Sequence, residues 1–128
     1  MKILMISTDR KIFDSKSGVR ARMVEYGELV DELHVVVFSK KTPTVKEQKI
    51  SDNVWLYPTD SINRWTYIFS AIKVGKKIIS GAGDWLVTAQ DPFETGFVAW
   101  RIARARAYGA RLQLQIHTDF LSPYFSSI

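Results

Sequence analysis

A chain of 128 residues, 46% hydrophobic and 24% charged, has the size and balance of one folded domain, which excludes a disordered or fibrous protein. It has no cysteine, which excludes a disulfide framework and a thiolate metal site, and no apolar stretch reaches the roughly 18 residues of a membrane span. A net charge of +5 and a pI near 9.6 attract phosphates, whether on nucleotides, nucleic acids or anionic lipids, without choosing among them.

The apolar run Lys2 to Ser7 predicts a buried first strand. Asp9, Arg10 and Lys11 follow too soon for a signal peptide, so the expected address is the cytoplasm, with a peripheral place at the inner face of the membrane as the alternative. A loop then leads into a helix over Gly18 to Leu29, where Val19, Met23, Tyr26, Leu29 and Val30 recur at helical spacing. Ser17 suits the cap of that helix, and Gly18 lets a ligand approach the backbone. The free amides and dipole of the first turn favour a phosphate there.

The second strand is expected over Leu33 to Ser39, with His34 at its far end in a structural role. Lys40 to Asn53 carries Thr42-Pro43-Thr44 and several lysines without a period, and reads as an exposed excursion before a third strand at Val54 to Tyr57. Asn63 to Ser80 is predicted helical, and its mixture of aromatic and basic residues suits a membrane interface. Trp65, Ile68, Phe69, Ile72 and Ile79 fall on one stripe, however, so packing on the sheet is the favoured reading and peripheral membrane contact the alternative. Gly81-Ala82-Gly83 precedes a strand and reads as a helix stop. The G-x-G-x-x-G fingerprint of dinucleotide binding is absent.

The fourth strand, Trp85 to Ala89, runs into Asp91-Pro92-Phe93-Glu94, a helix start with a capping carboxylate and a proline in the first turn. The same turn would present Gln90 and Asp91 to a polar substrate such as a sugar. A helix follows over Glu94 to Tyr108, and Arg101, Arg104, Arg106 and Arg111 read as a solvated basic cluster. The fifth strand, Arg111 to His117, ends on a histidine suited to donate to sugar hydroxyls, with Asp119 near enough to fix its tautomer. The competing reading is a buried structural histidine. Two isolated histidines make no metal site.

Strand and helix therefore alternate, and the strands are apolar on both faces. This predicts a single Rossmann-like, doubly wound α/β domain over 1–128, with a parallel sheet of about five strands, helices on both faces and ligands at the carboxyl ends of the strands. No nucleic-acid partner is expected, since basic and aromatic residues do not alternate along any strand. A phosphoacceptor signalling domain is excluded: Asp9 stands alone, Asp60 lies beyond Pro58, and His117 occupies the place of the required lysine.

Taken in order, Met1-Lys2-Ile3-Leu4-Met5-Ile6-Ser7, Ser17-Gly18-Val19-Arg20, Leu33 to Ser39, Gln90-Asp91-Pro92 and Gln115-Ile116-His117-Thr118-Asp119 carry a resemblance. The chain resembles the N-terminal domain of the large retaining glycosyltransferase family built of two facing Rossmann-like domains, the GT-B, family 4-like enzymes. The resemblance implies an acceptor-side half of a sugar transferase, with Ser17 and Gly18 near the donor phosphates. It implies His117 as the catalytic residue at the transferred sugar and no cofactor beyond a nucleotide-sugar co-substrate, and Arg20, Gln90, Asp91 and Asp119 are the further substrate-binding positions expected. The family's adjacent glycine pair is here Ser17-Gly18, and its donor domain has no counterpart in the sequence. Transfer to a lipid, saccharide or similar acceptor is thus expected to need a second domain, a donor-domain subunit or a homodimer. The alternative expectation is a non-catalytic binding or scaffold module derived from such an enzyme.

Overall fold

The computed structural model describes residues 1–39, 47–59, 64–80, 83–89, 94–105 and 111–114. Consecutive residues of the first strand, β1 (Lys2–Ser7), are buried against two different layers, which is why it reads as an unbroken apolar run. Leu4 and Ile6 pack in one core with Val36, Val87, Val98 and Ile102, whereas Met5 packs in another with Ile12, Met23, Val35 and Leu56.

After β1 come a short 3₁₀ turn (Arg10–Phe13), α1 (Gly18–Gly27), β2 (Glu32–Val37), β3 (Gln48–Ser51) and β4 (Val54–Pro58). The chain continues through α2 (Arg64–Ile79), β5 (Trp85–Ala89), α3 (Glu94–Ala105) and β6 (Arg111–Leu114). The strands form one sheet in the order β3-β4-β2-β1-β5-β6. All neighbours are parallel except β3, which runs antiparallel to β4. α1 contributes Met23 to the Met5 core, while α2 and α3 contribute Ala71, Ile79, Val98 and Ile102 to the Leu4 core. The helices thus lie on both faces, and the fold is Rossmann-like and doubly wound.

Two local features depart from expectation. The excursion before β4 contains a strand, β3, joined to β4 by a two-residue turn at Asp52-Asn53. It is a short edge strand bearing Lys49, in which Ile50 reaches the Met5 core. The amide of Asn53 donates to the carbonyls of Gly27 at 2.6 Å and Val30 at 3.0 Å, which fastens this hairpin to the end of α1. In α2, Ile68, Ile72 and Ile79 pack inward as the stripe predicts, but Phe69 points to solvent. One residue advances the helix by about 100°, enough to carry Phe69 off a stripe that Ile68 occupies.

α1 covers the half of its sheet face over β2 and β4. Beside it, Ile3, Met5, Leu86, Thr88 and Gln113 of β1, β5 and β6 line an open cleft of about 240 Å³ with Tyr26, Val30 and Leu33. Among the described residues no helix is long and apolar enough to cross a membrane.

Candidate functional site

The crossover from β1 leads through α1 on one face, and the crossover from β5 leads through α3 on the other. The sheet order therefore switches direction between β1 and β5, and the carboxyl ends of these strands, marked by Ser7 and Ala89, are where a doubly wound sheet opens its ligand crevice. Ser7 anchors that rim. Its carbonyl accepts from the Phe38 amide at 2.9 Å, and its hydroxyl accepts from the Asp9 amide at 3.1 Å. Arg10 Nε donates to the Phe38 carbonyl at 3.2 Å, tying the loop to the end of β2. Between β2 and β4, Thr59 Oγ1 accepts from the Ser39 amide at 3.0 Å and donates to the Ser39 carbonyl at 3.2 Å. Ser39 Oγ is buried with no partner among the described residues.

The loop from β1 to α1 is built from local side-chain caps. Asp9 accepts from the Lys11 amide and Asp14 from the Lys16 amide, so each aspartate closes one bend. Ser17 Oγ then accepts from the Arg20 amide at 3.2 Å, the N-cap bond that the sequence predicts. The Ser17 carbonyl takes the Ala21 amide, and the amides of Gly18 and Val19 have no acceptor among the described residues. A Cβ on Gly18 would meet nothing within 4 Å. The fold itself does not require glycine here, and the missing side chain leaves these two amides open to a small anion.

Arg20 behaves differently from its neighbours. Its guanidinium donates to the Phe13 carbonyl at 3.3 Å and to Gln48 Oε1 at 2.9 Å, so it braces the loop against β3. Ser17, Gly18 and Arg20 are thus brought together at the start of α1, where Ser17 caps the helix, Gly18 borders open space and Arg20 is turned to the protein. Gln90, Asp91, His117 and Asp119 lie outside the described residues, and so does the turn that was to hold the first two.

A second constellation, at the amino half of the sheet, is one whose members the sequence does not connect. His34 is 8% exposed and stacks on Trp55, with ring centroids 4.5 Å apart and planes 6° from parallel. Its Nε2 lies 3.2 Å from Glu32 Oε1 and its Nδ1 lies 2.6 Å from the Tyr57 hydroxyl. Lys2 Nζ bonds Glu32 Oε2 at 3.0 Å and lies 5.6 Å from the Trp85 ring centroid. Burial depresses the His34 pKa, with the Glu32 carboxylate opposing it. Glu32 is held below the usual carboxylate range, chiefly by its bond to Lys2. Burial, with lesser contributions from Glu47 and Glu32, pushes Tyr57 up to about 12. This neutral, fully partnered histidine has a structural role, as its place at the start of β2 implies. No group of three or more residues able to hold a metal ion occurs among the described residues.

Compared with family models, curated proteins and solved structures, the chain matches none.

Proposed function

We propose that the chain is the acceptor-side half of a sugar transferase, working with a second domain, subunit or copy that holds the nucleotide sugar. The observation that supports this reading most is the switch in sheet order between β1 and β5, with the chain leaving β1 for the Ser17-capped start of α1, where the Gly18 and Val19 amides have no acceptor among the described residues. Glycosyl transfer needs a leaving phosphate stabilised by amides or cations and an acceptor hydroxyl held close to the sugar carbon. Amides at a helix start meet the first need, the resemblance assigns the transferred sugar to His117, and Gln90, Asp91 and Asp119 are the further substrate-binding positions expected. A half cleft leaves water access on one side, which is why transfer is assigned to an assembly.

A non-catalytic binding or scaffold module is the second reading, and Arg20 favours it. A cation directed at Phe13 and Gln48 contributes less to a phosphate than one directed into the crevice. Calorimetric titration with a panel of uridine and guanosine diphosphate sugars separates the two. Saturable binding that weakens at least about tenfold in Gly18→Val and in His117→Ala supports the transferase half. Absence of binding by every member supports the scaffold.

A further inference from the structure

The helices α2 and α3 pack side by side on one face of the sheet, closely enough that a Cβ on Gly75 would overlap Ile102 Cδ1. Their inner stripes, including Ala71, Ile79, Val98 and Ile102, are buried, so both outer stripes point away from the same face. Those outer stripes carry large aromatic rings. Phe69 is 69% exposed, Phe97 48% and Trp100 42%. Phe97 and Trp100 lie with ring centroids 6.3 Å apart, and the Arg104 guanidinium sits 5.2 Å from the Trp100 centroid.

Around the rings stand exposed cations: Lys73, Lys76 and Lys77 on α2, and Arg101 and Arg104 on α3. None of the five forms an ion pair among the described residues, and neither helix has a carboxylate after Glu94. The surface therefore joins exposed aromatic area to positive charge that no carboxylate among the described residues pairs. A second copy of the chain is a poor occupant, because a two-fold contact would set the same cations against each other. A protein interface also rarely gathers lysines about its centre. An anionic lipid surface matches both features, since its phosphates answer the cations and its headgroup boundary accepts rings.

We infer that the outer face of α2 and α3 docks on an anionic membrane surface, with Phe69, Phe97 and Trp100 entering the headgroup boundary and the five cations meeting lipid phosphate. The inference is independent of sugar transfer. As crossover helices, both run opposite to the parallel strands, so Phe69 and Phe97 lie toward the carboxyl rim and the basic residues extend away from it.

Flotation of the intact chain with vesicles tests this, using phosphatidylcholine alone and phosphatidylcholine with about 30% phosphatidylglycerol. The expected result is binding to the anionic vesicles only, weakened by salt. Binding is expected to fall at least about tenfold in Lys73→Glu/Lys77→Glu and in Phe69→Ser/Phe97→Ser, with circular dichroism melts showing that each variant folds. The charge variant alters only solvent-exposed positions, so it carries the test if the aromatic variant melts early. No binding to anionic vesicles at low salt, equal binding to neutral ones, or undiminished binding by a folded variant would overturn the inference. Concentration-dependent self-association in the absence of lipid, abolished by Phe69→Ser/Phe97→Ser, would overturn it in favour of a protein interface.

Discussion

The Tyr57 hydroxyl donates to Nδ1 of His34 at 2.6 Å, linking β4 to β2. The direction follows from the other ring nitrogen, because Nε2 faces a carboxylate of Glu32, which only accepts. A neutral ring thus has Nε2–H as its donor and Nδ1 as its acceptor, and both are satisfied.

Acid should therefore loosen the fold before general acid unfolding sets in. His34 is held below its ordinary 6.5 by burial, so its neutral form is favoured in the folded chain. Its stabilisation is complete above the unfolded value and is lost as pH falls below it. Glu32, also depressed, acts in the same direction below its ordinary 4.5. Thermal melts should show a lower Tm at about pH 5.5 than at about pH 7.5, with a smaller difference in His34→Asn, which does not titrate. An unchanged difference in that variant would assign the effect to other groups.

Tyr57→Phe removes the donor and leaves Nδ1 buried without a partner. We expect a loss of about 1–2 kcal/mol in urea unfolding, with the β2 and β4 pairing intact. A loss of much less than this would mean that water replaces the hydroxyl.

Gly75→Ala tests how closely α2 and α3 pack. Alanine favours helix over glycine by about 1 kcal/mol, but its methyl would overlap Ile102 Cδ1 and stand 3.3 Å from Leu4 Cδ2, both fully buried. Overpacking of this kind costs about 1–3 kcal/mol, so the net change should be destabilising. Ile102→Val, which removes the overlapping carbon, should restore part of the loss when combined with it. Stabilisation by Gly75→Ala alone would contradict the packing.

At the start of α1 the two neighbouring residues should respond unequally. Ser17→Ala deletes the cap bond to the Arg20 amide and should cost about 1 kcal/mol. Gly18→Val enters open space and should change stability by no more than about 0.5 kcal/mol, which makes it a clean probe of ligand approach. Chemical denaturation of both variants checks the contrast.

The central strand β1 was legible because residues such as Leu4 and Met5 are buried in opposite directions, which leaves an apolar run from Ile3 to Ile6 with no polar interruption. β3 was not, since Gln48, Lys49 and Ser51 are polar and Ile50 is its one apolar residue. That omission also hid the fate of Arg20, whose acceptor Gln48 belongs to the unforeseen strand. The Ser17 cap was legible because it depends on a spacing of three residues. The His34 cluster was not, because it depends on the register that sets His34 beside Trp55. Phe69 shows the limit of a stripe read by eye, since one place along a helix separates core from solvent.

The most direct test of the candidate site is an amide chemical-shift titration of the chain with uridine and guanosine diphosphate sugars. The largest shifts are expected at Thr8, Ser17, Gly18 and Val19, around the end of β1 and the start of α1. Shifts concentrated instead around His34 and Trp55, or along the open cleft at Ile3 and Thr88, would contradict this site, as would a spectrum that no sugar nucleotide perturbs.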